Sequence, residues 1–344
     1  MNSFGRLFRV SIFGESHGIQ VGMVIDGCPA GLPLCEDDLR EDFARRKAGG
    51  RGTTPRVEPD LPRIVSGVFR KKTTGAPLTI VFENTNTKSE DYDNLLNHPR
   101  PGHADFTSSA KYGGFSDPRG GGHFSGRITL GIVAAGVVAK KIMAPARIAA
   151  ELLEAGGNKD IAAAVENALA EGDSVGGLIQ CRCSGLPSGL GEPFFDSVES
   201  MIAHMIFAVP ATRGIEFGSG FGAARMKGSE HNDAIVSSSG QTQSNNASGI
   251  NGGITNSNDL VFRVPVKPTS SISKAQNTFN FKSGQVEELI IEGRHDACIA
   301  LRIPVVIECA AAIALADLML LEQQRPRVYA GSTNVQAGQS SGGG

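Results

Sequence analysis

The run of residues 303–321 is apolar on every side of a helix and carries only two charges, Glu308 and Asp317. A helix without a polar face needs cover all round, and no stretch of the chain reaches the ~18 uninterrupted apolar residues of a membrane span. The run is therefore read as a buried helix. Residues 128–143, rich in Ala and Gly, predict a second, tightly packed internal helix. With 344 residues the chain is long enough to enclose both, as two domains or as one large layered unit.

Shorter elements surround these two. Residues 4–13 and 21–26 predict strands, with Gly14-Glu15-Ser16-His17-Gly18 as the turn between them. Residues 33–47 predict a helix with an acidic first turn and a basic last one. Residues 64–69 and 77–82 predict a strand pair turning at Thr74-Gly75, followed by long polar loops over 84–127. Further helices are expected at 161–170 and 196–207, and strands at 178–183, 215–217 and 260–264; residues 218–258 form a second polar, glycine-rich segment. Strands and helices are interspersed without an evident linker. This favours a single layered α+β domain of antiparallel sheets and helices over a doubly wound parallel fold. Its extent is placed at residues 1–325, with 326–344 a disordered tail rich in Gly, Ser and Gln towards its end.

Composition removes several function classes. The net charge of −2 gives no global field towards nucleic acid or anionic lipid, and the absence of Trp with only 3 Tyr leaves few stacking platforms. Neither a nucleic-acid nor a membrane partner is expected, and any basic site is local. Six scattered cysteines without Cys-x-x-Cys spacing indicate neither a disulfide framework nor a structural zinc site; Cys181 and Cys183 are read as small buried hydrophobes on one strand face. The first ten residues lack an apolar signal core, so a reduced cytoplasmic setting is expected.

What remains is a recurring combination: Arg or His among Gly, Pro, Ser and Thr. Glycine-freed amides, hydroxyls and guanidinium forks suit phosphate or carboxylate, so an anionic small ligand is expected. Candidate cations are Arg46, Arg51, Arg100, Arg119, Arg127, Lys267, Arg294 and Arg302; taken singly, each is as well read as a surface cation or a structural ion pair. Of the histidines, His17, His103, His123 and His295 lie in loop-like motifs suited to proton transfer, whereas His204 reads as a packed core residue. No His-x-x-x-His or Glu-x-x-His spacing indicates a metal, and neither a Gly-x-Ser-x-Gly elbow nor a phosphate loop ending in Gly-Lys-Ser/Thr is present.

Five of these segments together resemble the chorismate synthase family: the 14–18 turn, Arg-Pro-Gly-His-Ala-Asp from Arg100, Arg-Gly-Gly-Gly from Arg119, Lys-Pro-Thr-Ser-Ser-Ile from Lys267, and Gly-Arg-His-Asp from Gly293. They occur in the family's order over almost the whole chain. The resemblance implies helices sandwiched between antiparallel sheets, and a homotetramer. It implies a carbon–oxygen lyase of the shikimate pathway, leading to the aromatic amino acids: trans-1,4 elimination of phosphate from 5-enolpyruvylshikimate 3-phosphate to give chorismate, with reduced FMN and no net redox change. NADPH is one source of the reducing equivalents, an external donor the other.

By the same resemblance, His17 is an acid towards the departing phosphate, His103 manages charge on the reduced flavin, and Asp296 assists removal of the substrate proton. Substrate anions fall to Arg46, Arg51, Arg100, Arg127 and Arg294. Flavin contacts fall to His123, Phe124, Ser125, Ala211, Gly252, Lys267, Pro268, Thr269, Ser270, Ser271 and Arg294. One departure stands out: the family usually has arginine after its Gly-Gly-Gly, where this chain has His123. The rival readings are a flavin oxidoreductase with net electron transfer, opposed by the lack of Gly-x-Gly-x-x-Gly after a strand, and an RNA-binding segment at 46–56, opposed by the charge balance.

Overall fold

A computed structural model describes residues 2–54, 58–85, 97–291 and 295–324. In chain order its first strands are β1 (Ser3–Phe4), β2 (Arg9–Gly14), β3 (Gln20–Asp26) and β4 (Arg63–Ser66), then a two-residue ribbon, β5 (Val68–Phe69) with β6 (Lys72–Thr73), and β7 (Leu78–Glu83). β1, β2, β3, β7 and β4 lie in that order in one antiparallel sheet. The second sheet takes β8 (Arg147–Ala155), β9 (Gly177–Ser184), β10 (Glu216–Phe217) and, after the small ribbon of β11 (Ile250–Asn251) with β12 (Ile254–Thr255), β13 (Leu260–Val266). Its order is β10-β13-β9-β8, again antiparallel. A separate hairpin joins β14 (Gln276–Asn280) to β15 (Gln285–Leu289).

The helices are α1 (Arg40–Arg46), α2 (Asp105–Tyr112), α3 (Thr129–Met143), α4 (Ile161–Ala170), α5 (Val198–Phe207), α6 (Gly228–His231) and α7 (Pro304–Gln324). α3 packs on β2 and β3 of the first sheet, α7 on β8 and β9 of the second, and the two helices pack on each other. The result is the α+β sandwich expected, with α3 and α7 between antiparallel sheets. Gly136 makes the helix pair possible, because a methyl group there would fall 2.1 Å from Cβ of Cys309. α7 is long and apolar enough to cross a membrane, but every residue from 305 to 318 is buried inside the molecule.

Both buried charges of that helix, Glu308 and Asp317, are satisfied, as buried charges must be. Glu308, 1% exposed, pairs with Arg45 and with Lys140 (2.9 Å) and accepts the Ala150 N–H at 2.7 Å. Burial would raise its carboxyl, but those partners outweigh it and hold it below the usual value. Asp317 accepts the N–H groups of Arg6 (3.0 Å), Leu7 and Phe8 (2.8 Å each).

Several expectations are corrected. Residues 4–13 do not form one strand: the chain breaks between β1 and β2, where the three N–H groups turn to Asp317 instead of a sheet partner. The 64–82 hairpin reverses at Arg70 and Lys71, both with positive φ, and not at Thr74-Gly75. The polar region 84–127 contains α2; its residues 86–96 lie outside the described ones, as does the tail from 325. His204 is exposed, edge-on to Phe4 with centroids 5.2 Å apart, because it lies on the side of α5 away from the buried Met201, Ile202, Met205 and Ile206. Cys181 and Cys183 are buried on β9 as expected, and burial raises both thiols, that of Cys183 to about 12.

Candidate functional site

The end of α1 and loops from several other parts of the chain converge on a cavity of about 310 Å³. Among the described residues six cations line it, Arg46, Lys47, Arg100, Arg127, Lys267 and Arg302, against three carboxylates, Glu58, Asp60 and Asp296. Arg46 ends α1 and Arg127 lies just before α3. The two share one buried carboxylate: Asp60 accepts from Arg46 Nη1 at 3.1 Å on one oxygen and from Arg127 Nη1 at 2.5 Å on the other. Arg46 Nε donates to Thr129 Oγ1 (3.1 Å), and Arg127 Nε to Asn84 Oδ1 (2.6 Å). Burial pushes the Arg46 guanidinium down to about 10 despite Asp60, which leaves it charged at neutral pH.

The Arg100 segment builds the opposite wall. Asp105, in the first turn of α2, accepts Arg100 Nε and Nη2 at 2.7 Å each and His103 Nδ1 at 2.5 Å. Burial would raise this carboxyl, but Arg100 and His103 outweigh it and hold it well below the usual range. With Nδ1 turned to Asp105, Nε2 is the nitrogen that His103 has left for a ligand. Arg100 Nη1 donates to Ser271 Oγ (3.1 Å), and Lys267 Nζ to Gly102 O (2.6 Å) and Ser270 Oγ (2.7 Å), so the 100–105 and 267–271 loops are laced together. Burial, with Arg213 adding to it, lowers the Lys267 ammonium. Asp296 is fixed by the Thr54 N–H (3.0 Å) and Arg302 Nη2 (2.9 Å).

A second, larger cavity of about 690 Å³ adjoins the first; His103, Phe124, Ser125, Pro210, Ala211 and Lys267 line both. Its walls are mostly apolar, from Phe4, Val10, Ile12, Ile132 and Met205 among others, and its polar members include His103, His123, His204, Arg213 and Lys267. His123 is held by Gly14 O (2.7 Å, to Nδ1) and Asn2 Oδ1 (3.3 Å, to Nε2).

The structure thus gathers Arg46, Arg100, Arg127, His103, Phe124, Ser125, Ala211, residues 267–271 and Asp296 around the first cavity, and His123 at the second. His17 is buried and not on a wall. It lies behind Gly120, whose φ of +59° and lack of a side chain are both needed, since a methyl there would meet His17 Cδ2 and Nε2 at 2.7 Å and Ser16 Oγ at 2.8 Å. Arg51 is three-quarters exposed and pairs with Glu166, Arg119 pairs with Asp117, and Gly252 stands at the turn of the β11–β12 ribbon; none of the three lines either cavity. Arg294 lies outside the described residues. Sequence reasoning missed Asp60 and Asn84, and named Arg302 as a candidate cation without seeing that it fixes Asp296. The only hint of Asp60 was an acidic Glu58-Pro59-Asp60 run after a basic segment.

Comparison with known proteins gives the same constellation a family. The profile of the chorismate synthase family matches residues 8–320. A chorismate synthase of Chitinophaga pinensis is 64% identical over 96% of this chain and 99% of its own length; one of Dehalococcoides mccartyi is 45% identical over 95% and 99%. A crystal structure of chorismate synthase superposes with a TM-score of 0.71 at 25% identity, covering 93% of each chain. The cationic cavity and its loops therefore belong to an enzyme, and this chain is a member of the chorismate synthase family.

Proposed function

We propose that the chain catalyses trans-1,4 elimination of phosphate from 5-enolpyruvylshikimate 3-phosphate to give chorismate, with reduced FMN and without net redox change. The observation that carries this reading is the excess of cations among the described residues of one small cavity, six against three carboxylates. A substrate with one phosphate and two carboxylates matches that surplus, and planar guanidinium forks suit its groups. Arg46, Arg100 and Arg127 are the anion-binding residues within the described structure; Arg51 and Arg294 remain part of the proposal on family likeness.

The adjoining cavity fits a flavin. It offers an apolar slot for a ring system and Lys267 and Arg213 for anionic groups, and on the first cavity, beyond the shared Lys267, the 267–271 loop carries a buried Thr269 Oγ1 without a hydrogen-bond partner. Phe124, Ser125, Ala211 and residues 267–271 would hold the cofactor, with His123 beside them and Gly252 proposed on likeness alone. Held there, reduced FMN would supply electron density towards the substrate, easing loss of its phosphate. His103, oriented by Asp105, presents Nε2 where the two cavities meet and can hold or release a proton there. His17, behind Gly120, is the acid for the departing phosphate. Asp296, fixed by Arg302, assists removal of the substrate proton. The chain is proposed to act as one catalytic domain over residues 1–325 within a homotetramer, which exposed Phe115, Phe194 and Phe195 support. Six unpaired cysteines suit the reducing cytoplasm.

The test is anaerobic release of phosphate and chorismate with reduced FMN, oxidised FMN and no flavin compared. Turnover only with reduced FMN, at far less than one reductant consumed per product, supports the reading; stoichiometric consumption of reductant points to a net oxidoreductase, and no product sinks the proposal. His17→Ala and His103→Ala are each expected to lower turnover by about 10²–10⁴-fold in a folded protein. Near-normal turnover in either variant removes that residue's role.

A further inference from the structure

His17 is screened from the cavity by Gly120, yet its turn is fastened to a cavity arginine. Asn84 directly follows β7. Its Oδ1 accepts from Arg127 Nε at 2.6 Å, and its Nδ2 donates to Gly18 O at 2.8 Å and to Glu15 O at 3.1 Å. A guanidinium has no acceptor, so Arg127 dictates which end of the carboxamide faces it, and the other end must then donate. The two carbonyls it reaches bracket Ser16 and His17. Arg127 is also held by Asp60 (2.5 Å) and Glu83 O (3.2 Å), so its Nε has one direction in which to point.

We propose that Asn84 is a positioning residue that couples anion binding at Arg127 to the placement of His17. An anion that draws the Arg127 guanidinium moves the carboxamide bonded to its Nε, and the carboxamide carries the 15–18 turn with it. The inference rests on the proposed reaction for its catalytic consequence, but the coupling itself can be read without turnover.

The experiment follows the His17 imidazole by NMR in histidine-labelled protein, assigned by its loss in His17→Gln, while inorganic phosphate is added and its binding measured by calorimetry. Phosphate is expected to bind the unsubstituted protein and shift the His17 signal. Asn84→Asp keeps an acceptor for Arg127 and deletes the donor to Gly18 and Glu15; phosphate should still bind, and the His17 signal should no longer respond. Asn84→Ala, which deletes both ends, is the second variant. In turnover, Asn84→Asp is expected to lower kcat by about 10²-fold, the scale of a misplaced catalytic group, with little change in KM and no further loss when combined with His17→Ala. A His17 signal that moves equally in both Asn84 variants, or that never moves while phosphate is bound, overturns the proposal, as does a double variant whose losses multiply. Failure of the unsubstituted enzyme to turn over counts against the proposed reaction and leaves the phosphate experiment to decide the coupling.

Discussion

Arg45 and Arg46 are neighbours on α1 and take part in two networks of opposite character. Arg45 joins Lys140 on one side and Asp42 and Glu308 on the other, two cations with two carboxylates, braced against α3 and α7. Arg46 joins Arg127, and the pair has one carboxylate between them, Asp60. The balanced network needs nothing further and ties helices together. The unbalanced one leaves two guanidinium groups sharing one carboxylate at a cavity wall. Charge balance, more than burial, separates scaffold from site here, because both networks contain side chains that are nearly inaccessible to solvent.

The largest effect expected from this comparison is on stability. Glu308→Ala leaves Lys140, Arg45 and the Ala150 N–H without their common partner and should cost about 3–5 kcal/mol, the usual penalty for breaking a buried pair, as read from chemical denaturation. A loss too small to resolve would mean that the balanced network is not a brace. Next comes the pair of adjacent arginines. Arg46→Ala should reduce kcat/KM by about 10²–10³-fold, as removal of one oriented donor does, whereas Arg45→Ala should leave kcat/KM of the folded protein essentially unchanged; equal losses would erase the distinction. The smallest effect concerns pH. Asp105 is held below its ordinary value in the folded protein, so the stability it contributes is complete above its unfolded pKa near 4 and is lost as pH falls towards the depressed folded value. Asp105→Asn should therefore flatten the acid limb of the stability profile by roughly 1–3 kcal/mol, measured by urea unfolding at a series of pH values. An unchanged acid limb would assign it to other carboxylates.

Much of the architecture was legible because burial writes itself into composition. Residues 303–321 could only be an enclosed helix, and glycine at 131 and 136 marked its partner as one approached closely. Strand β8 was not legible: Ala-Ala-Glu-Leu-Leu-Glu has helical propensity, and only pairing with β9 makes it extended. His204 misled for a related reason, since apolar neighbours in sequence do not say which side of α5 faces the core. In the site, residues that advertise chemistry by type and loop setting, such as Arg100, His103 and Arg127, could be picked out, although Arg51 shows that a similar setting can face solvent. Asp60 and Asn84 could not, because their importance lies wholly in what they touch. An aspartate with φ of +49° after a proline looks like a loop residue until two arginines are found on its oxygens.

The carboxylate of Asp317 has a consequence for how the molecule is made. It accepts N–H groups of residues 6–8, more than 300 positions earlier in the chain. During synthesis the corner between β1 and β2 waits for its acceptor until nearly the last helix has emerged, and contacts of such sequence separation are slow to form. That corner is therefore completed late in translation, and a chain that stops short of residue 317 lacks the carboxylate that receives its N–H groups.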